Sequence, residues 1–142
     1  MHERLRKLVL KIGGAMIICL GILHLAVTPI IYSYIDQNTI SAKLDWFRPP
    51  MLLNHIVVGI LLLPLGVITL YAASPAIEGE RWALVIVRTC TLSIASLPIV
   101  LFALMGDRYF GAQFFVIATA LVCLAALALL AAAFWRTKSS GG

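Results

Sequence analysis

The stretch Met51-Leu-Leu-Asn-His-Ile-Val-Val-Gly-Ile-Leu-Leu-Leu-Pro-Leu-Gly-Val-Ile-Thr-Leu-Tyr71 contains no Asp, Glu, Lys or Arg from end to end. A helix crossing the hydrocarbon core of a bilayer needs about 20 apolar residues, and this stretch supplies them. Residues 12–34, 82–105 and 111–135 have the same character, so four such runs fill most of the 142-residue chain. The connections between them are too short to hold a soluble domain.

Composition agrees with this reading. Hydrophobic residues make up 62% of the chain and the mean hydropathy is +1.03, against about 45–50% apolar residues in soluble domains. Lipid offers no partner to backbone N–H and C=O groups, so a spanning segment must be a helix or part of a closed barrel. Period-two alternation is absent and each run exceeds the length of a barrel strand, which favours helices. The expected fold is an all-α integral membrane protein, four transmembrane helices in a compact up-down bundle. Residues 1–138 are expected to form one domain, and Ser139-Ser-Gly-Gly142 a flexible tail.

The edges of the runs are marked by aromatic residues. Trp46, Trp82 and Trp135 all fall at predicted membrane boundaries, with Tyr32, Tyr34, Tyr71, Tyr109 and Phe134 beside them. Rings with one polar edge settle at headgroup depth. Lys and Arg then set the orientation. Arg4, Arg6, Lys7, Lys11, Arg81, Arg136 and Lys138 would gather on one side, and only Lys43, Arg48 and Arg108 on the other. This asymmetry predicts both termini on the cytoplasmic side, with the bacterial cytoplasmic membrane as the expected location. The net charge of +5 follows from topology and from attraction to anionic headgroups. No basic stripe interleaved with aromatics accompanies it, so nucleic acid is not an expected partner.

The connection from Ile35 to Pro50 carries Asp36, Lys43, Asp45 and Arg48. Its centre, Ser41 to Phe47, reads equally as a short interfacial helix or a solvated loop. Pro49-Pro50 suits a helix start. Pro29, Pro64 and Pro98 fall inside spans, and each frees a carbonyl four residues earlier that a neighbouring side chain can satisfy.

Three ionisable residues lie within the spans, His24, His55 and Arg88, and each is a candidate cofactor-binding residue because such groups are costly in lipid. His24 shares a helical face with Gly13, Ile17, Gly21 and Thr28, and His55 one with Gly59 and Gly66. Small residues allow close backbone approach, so the first two helices are expected to pack through these faces. The sharper reading makes the histidines axial ligands of a b-type haem. Counted from the ends of the runs, His24 lies about 15 Å deep and His55 about 6 Å deep, which favours hydrogen-bonding histidines over ligands. Arg88 is expected to snorkel or to turn toward Glu78 or Glu80. Its functional alternative is an anion site for a lipid headgroup, a quinone carbonyl or a cofactor carboxylate.

Thr89, Ser93 and Ser96 form a polar stripe on the third run, and Cys19, Cys90 and Cys123 read as small packing residues. No C-x-x-C pair, Ser-His-Asp set, glycine-rich phosphate loop or carboxylate pair is present, so a catalytic centre is not expected. No span holds a carboxylate, which argues against proton-coupled drug export. The leading expectation is a small non-enzymatic accessory or packing subunit of a membrane complex, without a cofactor. Its partners would be the lipid bilayer and other membrane subunits or further copies of itself. The alternatives are a haem b or quinone-binding subunit and, more weakly, a small-solute or lipid transporter.

Overall fold

The computed structural model describes residues 3–38, 48–105 and 113–135. Trp46, the segment Ser41 to Phe47, Arg108, Tyr109 and the tail from Arg136 onward lie outside these residues. Among those described, every regular element is a helix: α1 (Glu3–Ala26), α2 (Thr28–Asn38), α3 (Arg48–Ile77), α4 (Arg81–Met105) and α5 (Gln113–Phe134). Segments Glu3–Ala26, Arg48–Ile77 and Arg81–Leu104 are long and apolar enough to cross a membrane. Thr119–Phe134 is a shorter apolar helix.

The helix ends differ from the hydropathy edges in instructive ways. α1 starts at Glu3, nine residues before the apolar run, because Glu3, Arg4, Leu5, Arg6 and Lys7 are good helix formers. Hydropathy marks where an apolar surrounding could begin, and a helix need not begin there. The first run is also split. Val27 is a turn residue between α1 and α2, next to Pro29, which has no N–H for the carbonyl of Leu25. The ladder adjusts by letting the Val27 carbonyl accept from both Ile30 N (3.0 Å) and Ile31 N (3.0 Å).

α3 runs past its hydropathy edge to Ile77 because Ala72, Ala73 and Ala76 are buried there. It stops at Gly79, whose φ of 91° is the left-handed conformation that L side chains resist. Glu80 N bonds Pro75 O at 3.0 Å across the turn, the six-to-one closure of a Schellman motif. At the other end, Pro49 and Pro50 occupy the first turn of α3, where missing N–H groups cost nothing.

The chain packs as two compact units. One comprises Met1–Gly14 with Ile68–Gly142, the other Ala15–Val67, and the divisions fall within α1 and α3. In the first unit α4 packs on α5, and the core is built largely from Ala83, Val87, Ile94, Ala126, Leu129 and Ala132. Leu129 also covers Gly13, where an added Cβ would come within 2.7 Å of the Leu129 Cγ. Gly13 therefore serves α5 and does not belong to the expected contact with the second apolar run.

The buried hydroxyls of this unit belong to Thr69, Thr91 and Thr119. The expected stripe of Thr89, Ser93 and Ser96 faces outward, and Ser96 Oγ donates to the Ser93 carbonyl of its own helix at 2.8 Å. Of the cysteines Cys90 is buried, Cys123 half-buried and Cys19 exposed, so the packing role fits Cys90 best.

Candidate functional site

The site is built in the Ala15–Val67 unit, where α1 and α2 lie alongside α3. Gly21 and Gly59 bring the backbones together. A Cβ on Gly21 would lie 3.0 Å from the Gly59 carbonyl oxygen, and one on Gly59 would lie 2.9 Å from Leu25 Cγ and 3.3 Å from the Gly21 oxygen. No side chain larger than hydrogen fits without movement on either helix. This contact matches the face expected for Gly21, His24, His55 and Gly59.

One turn along, the two histidines meet. Their rings stack with centroids 4.2 Å apart and planes inclined by 25°. The Nε2–H of His55 donates to the main-chain oxygen of His24 at 2.9 Å. The same oxygen accepts from Thr28 Oγ1 at 3.1 Å. The cause lies in the local chain: the break at Val27 and Pro29 disturbs the ladder where α1 ends, and an apolar surrounding supplies no water to a loosened carbonyl. His55 and Thr28 supply donors instead. His24 thus contributes its backbone, and its ring acts as the platform on which His55 lies.

Near the start of α3, Arg48 Nη2 pairs with Asp36 Oδ1 at 2.9 Å, and the Arg48 guanidinium sits 5.9 Å from the centre of the Tyr32 ring. This pairing explains why the depth difference expected for the histidines is absent. From His24 to Asp36 is twelve residues, about 18 Å, and from Arg48 to His55 seven residues, about 10 Å. The long Arg48 side chain spans much of the difference, so the two helices need not end in one plane.

The stack has consequences for the haem alternative. Two axial ligands must aim ring nitrogens at an iron between them. Here the rings lie face to face, and Nε2 of His55 is occupied as a donor. This arrangement does not fit a bis-histidine haem. Among the described residues no group of three or more His, Cys, Asp or Glu is placed to hold a metal ion.

Arg88 belongs to the other unit. Its Nε donates to the Ala133 carbonyl at 3.4 Å, and its guanidinium carbon lies 5.3 Å from the centre of the Phe134 ring. It turns to the last turn of α5 and not toward Glu78 or Glu80. A second arginine does the same. Arg6, only 6% exposed, donates from Nε to the Ala132 carbonyl at 3.2 Å.

The last carbonyls of a helix have no intrahelical donor and carry about half a negative charge, so two guanidinium groups suit them. Arg6 was expected to be one of the flanking cations. Its burial could have been read from spacing, since Arg6, Leu10, Gly13 and Ile17 follow one another at intervals of four, three and four along a single face. Comparison with models of protein families, with curated proteins and with solved structures finds no match for this chain.

Proposed function

We propose that this chain is a small non-enzymatic membrane protein that acts as an accessory or packing subunit of a larger membrane complex. It would span the bilayer four times as an up-down bundle of one domain, with both termini on the cytoplasmic side of a bacterial membrane. One observation carries the reading. Of the three ionisable side chains in the apolar segments, those of His55 and Arg88 reach backbone carbonyls, of His24 and Ala133, and the His24 ring stacks on that of His55. The N–H groups of His55 and Arg88 used in this way hold helices together. Exposed Ile22, Leu23, Ile60, Leu61, Leu92 and Leu124 leave apolar surface for lipid and for partner helices, which associate through close packing in a bilayer.

The test is extraction from native membranes in mild detergent, followed by native electrophoresis and chemical cross-linking. An accessory subunit co-migrates with a partner well above the 15.4 kDa of the chain and shows no visible absorption band of its own. Migration alone with a Soret band would replace this reading with the haem-binding one. Orientation is tested in a background lacking Cys19, Cys90 and Cys123. Leu5→Cys and Ser139→Cys should resist an impermeant thiol reagent in intact cells, and Asn38→Cys should react. The opposite pattern would reverse the topology.

A further inference from the structure

The end of α5 carries more positive charge than its own carbonyls require. Arg6 and Arg88 reach consecutive carbonyls, Ala132 and Ala133, which places their Nε atoms within about 10 Å of each other given helix geometry. Each uses one N–H on the helix end. A guanidinium has five N–H donors, so most of both forks are left over. Neither arginine has a carboxylate within salt-bridge distance among the described residues, where the one ion pair is Arg48 with Asp36. Arg6 is only 6% exposed and Arg88 is exposed, so Arg88 supplies the open side of the pair and Arg6 the buried one.

The surroundings place this fork pair at an interface. Phe134 lies under the Arg88 guanidinium. Trp135 and Trp82 are half exposed, and Trp82 leans on Tyr71 with ring centroids 5.9 Å apart. Such rings mark headgroup depth. Two guanidinium groups left without an anion, at the depth where phosphates lie, offer the donors that a phosphodiester accepts.

We infer that Arg6 and Arg88, anchored on the last two alanine carbonyls of α5, form a binding site for the phosphate of an anionic phospholipid. The inference rests on the membrane reading above. The site supplies an electrostatic hook by which a phospholipid molecule stays attached to α5.

The full chain, purified in a neutral detergent, is titrated with phosphatidylglycerol or with phosphatidylcholine. Thermal melting and retained lipid by native mass spectrometry are the readouts. Phosphatidylglycerol should raise the melting temperature and remain bound, and phosphatidylcholine, whose phosphodiester carries a choline cation that two guanidinium groups repel, should do so far less. Arg88→Gln, a change at an exposed position, should weaken phosphatidylglycerol binding about tenfold or more, the effect of losing one charge-assisted hydrogen bond. Arg6→Lys should weaken it too while keeping the charge beside α5. Arg4→Gln and Lys11→Gln remove exposed charges of α1 and should leave binding unchanged.

Equal loss in all four variants would mean diffuse charge attraction and overturn the site. Equal retention of both lipids by the wild type would overturn it as well. Inorganic phosphate at constant ionic strength should not reproduce the stabilisation; if it does, the site takes a free anion and the lipid assignment falls. Successful reconstitution of the wild type into phosphatidylcholine vesicles would keep the membrane reading intact even if phosphatidylglycerol shows no preference.

Discussion

The two units solve the same problem with different donors. In the Ala15–Val67 unit the carbonyl is that of His24, in the last turn of α1 at the break before α2, and an imidazole with a threonine hydroxyl serves it. In the unit of Met1–Gly14 and Ile68–Gly142 the carbonyls are the last of α5, and two guanidinium groups serve them. The break leaves the Leu25 carbonyl without a donor beside that of His24, both in the last turn of α1, and an uncharged donor there avoids the desolvation cost of a charge. A helix end sums the dipoles of its whole length, and cations there gain from the charge as well as from the bond.

The comparison breaks first where backbones touch. Gly59→Leu must push against Leu25 and the Gly21 carbonyl, and should cost about 2–3 kcal/mol, the upper range for overpacking. Leu61, exposed on the same helix, should accept Phe within about 0.5 kcal/mol. Detergent melting curves compare the two directly. Equal tolerance would mean that the glycine contact does not hold the hairpin.

Next in size is Arg6. Replacing it with alanine uncaps α5 and empties a buried position, at a cost of about 2 kcal/mol, in the range for hydrogen bonds to charged groups. Lysine should recover part of this, because it keeps the charge beside the helix end. Stability unchanged in Arg6→Ala would show that the dipole argument for this unit is wrong.

The histidines sharpen the contrast because they are predicted to be unequal. His55→Phe keeps the stack but removes the N–H, and should cost about 1 kcal/mol. His24→Phe keeps both the stack and the accepting carbonyl, and should be close to neutral. Matched losses in the two variants, or a lost absorption band in either, would point to a shared ligand and not to a backbone repair.

Gly79 gives a smaller effect than His55. Alanine there meets no atom within 4 Å, so only the left-handed φ opposes it. The strain of about 1 kcal/mol or more is partly offset by a stiffer unfolded chain, leaving a net loss of about 0.5 kcal/mol. A stabilised Gly79→Ala protein would mean that the turn after α3 can re-form with φ below zero.

Much of this was legible in residue order. The apolar runs, the glycines at 21 and 59 and the faces that carry His24 and His55 follow from periodicity and size, because those patterns depend only on the spacing of residues along one helix; that the two rings meet does not. Gly13 shows where that logic stops. It shares a wheel face with Gly21, yet it packs under Leu129, since one helix face can meet different neighbours along its length. The supposed depth of the histidines failed for a related reason. It assumed that paired helices end together, whereas the Arg48–Asp36 pair shows an offset between them.

What the sequence alone determined is the class of environment and the identity of the close-contact faces, through charge-free length, aromatic edges and small residues at helical spacing. Only the tertiary structure decided which carbonyls each polar side chain would serve. His55 finds a backbone oxygen 31 residues away and Arg6 one 126 residues away. No local pattern encodes such a partner. The need arises on one segment, from a proline or a helix end, and the donor comes from another that folding brings alongside.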